Sequence, residues 1–316
     1  MDCTIFLKNS ERVVQNCSKV IVGKEDKIRL IFTAFLCSGH VLLEDVPGTG
    51  KTMLLRAFAK TIGSGFKRIQ FTPDLLPSDL TGINFYNQKK GDFEFRQGPL
   101  FTNIVLADEI NRATPRTQSS LLEAMEESQI TVDGTTYPMA EPFFVMATQN
   151  PVESYGTFPL PEAQLDRFFM KINLGYMSRE QEMSVISGEP SARKLEELTA
   201  VVPPEDIRVM KTEYPNVHVE KDVLAYMMDI VEKTRKESRF VTGVSTRGAL
   251  ALYHASQVTA ACTGRDFVIP EDVISVAPYV LSHRILSKGS ESYEDTKKYL
   301  DRLIGEVPVP LEDLNK

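Results

Sequence analysis

The chain has 316 residues, 42% of them hydrophobic, and a formal net charge of -7 from 43 acidic and 36 basic side chains. That length predicts a large buried core and two domains, or one domain with a substantial appendage, with no need for metal or disulfide staples. The acidic balance excludes an overall field that would gather nucleic acid, although a local basic groove stays open.

Other broad features narrow the class. Cys3, Cys17, Cys37 and Cys262 form no C-x-x-C pair, which argues against a zinc site or a disulfide frame and fits a reducing, cytoplasmic compartment. The N-terminus lacks a basic segment followed by a long apolar stretch, and no later apolar run reaches membrane-spanning length, so a soluble chain without membrane insertion is expected.

In chain order, KEDKIRLIFTAFLCSGH places Ile28, Ile31, Phe32, Phe35 and Leu36 at helical spacing, with Gly39 as the stop. Apolar runs too short for a helix follow at 40–44 (HVLLE), 66–71 (FKRIQF), 103–109 (NIVLADE), 143–149 (FFVMATQ) and 168–175 (FFMKINLG). These read as five strands, several buried on both faces. Between them, Leu54, Leu55, Phe58, Ala59 and Ile62 make one helical stripe, and Thr114 caps a second helix that begins at Pro115. Alternating strands and helices imply an α/β fold with a mainly parallel sheet covered on both faces.

Two stretches interrupt this rhythm. INFYNQKKGDFEFRQ, from Ile83, has alternating arms around Lys90-Gly91, and QITVDGTTYPM, from Gln129, turns at Asp133-Gly134; both read as inserted β-hairpins. From about residue 190 the strand signal fades into helical patterns. The expected division is therefore an α/β core over 1–190 and an all-helical domain over 191–316.

The chemistry centres on EDVPGTGKT, residues 44–52, between a strand and a strong helix. It matches the phosphate-loop pattern G-x-x-x-x-G-K-[ST] except that Asp45 stands at the first glycine. The contacts the chemistry needs are present: Gly48 and Gly50 let backbone N–H groups face phosphate oxygens, Lys51 supplies a point charge, and the Thr52 hydroxyl can bind magnesium. Asp45 is read as a turn residue whose carboxylate points away from the anion. Next, IVLADEIN ends a buried strand with two acids, an expensive arrangement unless they have work to do. Asp108 is placed to hold a magnesium shell and Glu109 to position or deprotonate an attacking water, although alone the pair could simply cap a strand. If the strand ending in ATQNP is a neighbour, Asn150 could orient that water; a turn residue before Pro151 is the alternative.

Two arginines remain. Arg167, in PEAQLDRFF, is expected to begin a strand at the domain edge, where it would reach a neighbouring subunit; Arg247, in GVSTRGAL, lies near a helix start. A single arginine is by default a surface ion pair, but one delivered to a terminal phosphate is worth about 10³ to 10⁵ in rate. His40, His218, His254 and His283 show no metal-ligand spacing, so metal here means magnesium with nucleotide.

With these residues in place, the sequence resembles the MoxR family of AAA+ ATPases over nearly its whole length. The matching runs are IVGKED, HVLLEDVPGTGKT, RIQFTPDLLPSDLTG, QGPLF, DEINRATPRTQSSLLEAMEE, FFVMATQNPVESYGTFPLPEAQLDRF, TGVSTRGAL, GRDFVIPEDV and LSHRI. The resemblance implies an AAA+ P-loop core with a C-terminal helical lid, ATP and Mg2+ as cofactors, and a hexameric ring. By position it implies that Val22 and Gly23 lie near the adenine and that Pro47, Gly48, Thr49, Gly50, Lys51, Thr52 and Met53 form the Walker A segment. Asp108 and Glu109 would be Walker B, Asn150 sensor 1, Arg167 the arginine finger and Arg247 sensor 2. The hairpins look like that clade's helix-2 insert and pre-sensor-1 hairpin, facing the ring centre. Family members resemble chaperones that assemble or activate other complexes, often with a von Willebrand factor A domain partner. One departure concerns Ser245-Thr246-Arg247, where the family usually reads S-P-R; it leaves open whether Arg247 acts within its own subunit or across an interface.

The leading expectation is an ATP-hydrolysing, chaperone-like remodeller of a protein client. The alternatives are a DNA-acting motor and a nucleotide-dependent switch with little turnover. Lys89 and Lys90 at the first hairpin tip favour the motor, but the second hairpin has no basic residue and phosphate tracking needs repeated cations.

Overall fold

A computed structural model describes residues 2–45, 48–149, 156–188, 191–289 and 292–310. The strands are β1 (Val41–Glu44), β2 (Phe66–Gln70), β3 (Gly82–Asn87), β4 (Asp92–Gln97), β5 (Ile104–Asp108), β6 (Gln129–Val132), β7 (Thr135–Pro138), β8 (Phe144–Gln149), β9 (Met170–Ile172), β10 (Phe240–Thr242) and β11 (Leu286–Ser287). Five of them form one sheet in the order β2-β5-β8-β1-β9, every pairing parallel.

The apolar runs of β1, β5 and β8 are continuous because successive residues bury on opposite faces. Val41, Leu43, Ile104, Leu106, Phe144 and Met146 join one core; Leu42, Val105, Ala107, Val145 and Ala147 join the other. The first core gathers the helices Thr4–Ser18, Glu25–Leu36 and Lys51–Thr61. It then runs without a break into Leu252, Ala255 and Val258 of the helix Thr246–Cys262. The second is covered by Leu121, Leu122 and Met125 of the helix Pro115–Glu127. That helix starts at Pro115 after Thr114, as its sequence indicated, because proline's fixed φ and missing N–H suit a first helical turn, but Thr114 makes no side-chain cap bond and its hydroxyl meets that of Thr117 at 3.3 Å instead.

Both insertions are two-stranded antiparallel hairpins. β3 pairs with β4 around a turn that includes Gly91, and β6 pairs with β7 around Asp133 and Gly134, both at positive φ. Phe95 stacks on Tyr137 at 4.2 Å between ring centroids, so the hairpins touch, while Ile83, Phe85, Tyr86 and Phe93 stay exposed.

Three local expectations need correction. The helix before β1 ends at Leu36, and its left-handed exit residue is Ser38, not Gly39. Gly39 is small for another reason: a Cβ there would lie 2.3 Å from Phe169. Arg167 does not begin a strand; it follows the short helix Glu162–Leu165, and β9 starts at Met170. The C-terminal region is helical, as expected, but also contains the antiparallel β10-β11 pair.

Candidate functional site

In a parallel sheet all strands deliver their C-terminal ends to one edge, where open α/β sheets place ligands. Here that edge carries the glycine loop after β1 and the acidic pair after β5, with β8 between the two strands. Gly48, Gly50, Lys51, Thr52, Met53, Arg56, Arg68, Asp108 and Glu109 line a cleft of about 500 Å³. Gly48 and Gly50 both sit at φ +87, and a Cβ on either would meet nothing within 4 Å. Their conformation needs glycine, and their open side leaves a backbone cradle at the N-terminus of the helix Lys51–Thr61, a geometry suited to phosphate. Three cations against two carboxylates in this lining favour a polyanion.

Asp45 faces the other way. Its buried carboxylate accepts from the Leu174 N–H and, at 3.2 Å, from the Gly175 N–H, in the loop after β9. Burial pushes its titration up while the two N–H groups pull it down. The Lys24 ammonium donates to the carbonyls of Leu174 (2.6 Å), Gly175 (3.2 Å) and Tyr176 (3.0 Å), drawing the turn at Val22 and Gly23 to this same loop. Lys51 donates 2.9 Å to the Asp45 carbonyl. The anticipated outward turn of Asp45 is therefore present, held by a partner 129 residues away.

The acidic pair is held just as tightly. Thr148 on β8 donates to Asp108 Oδ1 at 2.6 Å and accepts from the Glu109 N–H at 2.8 Å, while Arg68 on β2 donates to Asp108 Oδ2 from Nε (3.0 Å) and a terminal nitrogen (2.7 Å). Glu109 has φ 57 and ψ 49, a left-handed conformation that is costly for a residue with a long side chain and that tends to persist at functional sites. Its carboxylate accepts from Gln70 at 2.7 Å and Arg112 at 3.0 Å. Arg68, Gln70 and Thr148 escaped the sequence reading; the register that sets Gln70 beside Asp108 was not visible in the strand pattern. Pro47 and Asn150 lie outside the described residues.

The two arginines meet elsewhere. β9 runs parallel to β1, and Arg167 precedes β9, so it lies at the N-terminal edge of the sheet, opposite the glycine loop. Arg167 Nε is 3.1 Å from Glu126 Oε2, and a terminal nitrogen of Arg247 is 2.7 Å from Glu126 Oε1. Next to them, Arg284 donates to Asp166 Oδ1 (2.7 Å) and to the Phe168 (2.7 Å) and Phe169 (3.1 Å) carbonyls.

A larger cavity, about 710 Å³, lies between β9 and the C-terminal region, where Lys171 pairs with Glu44 at 2.8 Å. Glu44, Asp45, Glu162 and Glu294 outnumber Lys171 in its lining, so it suits a polyanion less well than the glycine-loop cleft. Among the described residues no group of three or more His, Cys, Asp or Glu could hold a metal, and no helix is long and apolar enough to cross a membrane.

Residues 40–170 match the ATPase family associated with various cellular activities (AAA), and residues 232–302 match the AAA lid domain. The fold is thus that of an AAA+ ATPase. The chain is 50% identical over 303 residues to protein YeaC of Bacillus subtilis, covering 95% of each. It is 41% identical to chaperone MoxR1 of Mycobacterium tuberculosis, over 87% of this chain and 75% of that one, and 30% identical to protein MoxR of Paracoccus denitrificans, over 92% and 93%. A crystal structure from Cytophaga hutchinsonii superposes with a TM-score of 0.87 at 38% identity, covering 98% of this chain and 97% of the other. The chain belongs to the MoxR family of AAA+ ATPases.

Proposed function

We propose that this protein hydrolyses ATP to ADP and phosphate in the glycine-loop cleft and couples turnover to remodelling a protein client. The observation that carries this reading is Glu109, fixed in a costly backbone conformation on the same cleft as Lys51, Thr52 and Asp108. In this reading the Gly48 and Gly50 cradle and Lys51 bind the phosphates, and Val22 and Gly23 flank the adenine. The open cradle and the hydroxyl and carboxylate donors fit a magnesium nucleotide, with Thr52 and Asp108 as the metal's protein ligands. Magnesium supplies charge neutralisation at the phosphates. Glu109 orients or deprotonates the attacking water, with Asn150 as its expected companion. Catalysis also requires exchange of the present hydrogen bonds: Arg68 must release Asp108 Oδ2, and Gln70 and Arg112 must release Glu109.

The arginines argue for a ring. Arg167 and Arg247 lie together at the sheet edge opposite their own glycine loop, separated from it by at least the length of β1, about 10 Å at 3.3 Å per residue. We infer that both serve the cleft of the next subunit, which makes turnover depend on assembly, with a hexamer as the working form. Residues 1–190 then act as the nucleotide-binding core and 191–316 as the lid. A protein client, reached with a von Willebrand factor A domain partner, agrees with the exposed apolar hairpin face; the tip cation Lys90 is already paired with Glu94, which speaks against phosphate tracking.

The test is Glu109→Gln in the full chain. ATP binding is expected to persist while turnover falls at least about a hundredfold, the range for losing a positioned general base. Turnover at the unsubstituted rate would refute the role.

A further inference from the structure

We propose that Glu126 is a positioning residue that brackets Arg167 and Arg247 into one unit presented to the neighbouring cleft. The inference rests on the proposed trans role of the arginines. Each Glu126 oxygen serves one guanidinium: Oε2 faces Arg167 Nε at 3.1 Å, and Oε1 accepts from Arg247 at 2.7 Å. Two like charges this close repel, and a carboxylate between them removes that repulsion while setting their spacing. A guanidinium carries five N–H donors in a rigid fork, so giving one to Glu126 leaves most of each fork for a phosphate.

The bracket joins parts of the chain far apart in sequence. Glu126 sits at the end of the helix Pro115–Glu127, Arg167 precedes β9, and Arg247 opens the helix Thr246–Cys262. The helix bearing Glu126 is itself tied down one residue earlier, where the Met125 carbonyl accepts from His40 Nε2 at 2.9 Å. A carboxylate at this place holds both arginines with a separate, charged acceptor oxygen for each. With glutamine, one of the two contacts meets an NH2 group that cannot accept. Glu126 is one-third exposed, so its replacement leaves the core intact.

The test uses full-length Glu126→Ala and Glu126→Gln chains. Both are expected to lower kcat about tenfold or more, as misplaced transition-state groups do, while nucleotide affinity at their own clefts stays within about twofold. Each variant is then mixed with Glu109→Gln chains before assembly. Activity should return, because the Glu109→Gln subunit offers an intact arginine edge to the intact cleft of the Glu126 variant. Arg167→Ala goes through the same mixing. If Arg167→Ala fails to recover, the trans reading itself is wrong; if Arg167→Ala recovers and the Glu126 variants do not, only the bracket is wrong. Turnover by Glu126→Ala at or above the unsubstituted rate would also overturn the proposal, since the carboxylate would then restrain the arginines. Loss of assembly by both variants would overturn it too, by assigning Glu126 to the interface itself.

Discussion

Asp45 occupies a position where a phosphate loop usually has glycine, and its surroundings turn the carboxylate away from the cleft. The first loop position has a conformational task, and here two N–H groups from the loop after β9 give the carboxylate a structural task of its own. Asp45→Ala would strand those buried donors and should cost about 1–3 kcal/mol, read as a lower denaturation midpoint in urea, with no gain in ATP affinity. Tighter ATP binding by that variant would mean that the carboxylate does face the phosphates. The sequence made Gly48, Gly50, Lys51, Thr52, Asp108 and Glu109 legible as one cleft because each residue type has a stated job at a stated spacing. It hid Arg68 and Thr148, whose relevance depends on which strands are neighbours. It also split Arg167 from Arg247, which both pair with Glu126.

At the scale of elements, β1, β5 and β8 were readable because burial on both faces makes their sequences almost continuously apolar, whereas the edge strand β2 buries only Ile69 and exposes Lys67, Arg68 and Gln70; strand ends moved by one or two residues at most places. β10 and β11 were unreadable, being three and two residues long. His40 was dismissed as a metal ligand, and its work proves to be joining elements. Its Nδ1 accepts from the Val145 N–H at 3.0 Å and its Nε2 donates to Met125, which defines a neutral tautomer between β8 and the helix Pro115–Glu127. Burial pushes its titration down from 6.5 to about 4. With the folded value depressed, the unfolded chain takes up the proton first, so this contribution is complete above about pH 6.5 and is lost as pH falls towards 4. Denaturation at pH 7 and pH 5 should differ by about 2 kcal/mol from this group. A stability that does not fall over that range would contradict the assignment.

For the whole molecule, the contact that matters most is Arg284 with Asp166. The guanidinium is almost wholly buried, and burial lowers its titration to about 10 even though Asp166 opposes the shift. Its other donors go to the carbonyls of Phe168, Phe169 and Val280, and Ser245 reaches the same carboxylate at 3.2 Å. Arg284→Met should destabilise the protein by about 3–5 kcal/mol, because Asp166 would lose its main partner and the Phe168 and Phe169 carbonyls their donor. An unchanged thermal midpoint would refute that account.

Asp166 is the residue immediately before Arg167. The lid therefore grips the backbone that carries the arginine, and Arg247 rides on the lid itself. Given the proposed ring, a swing of the lid would shift both guanidiniums relative to the cleft next door. Each subunit would then set the pace of its neighbour.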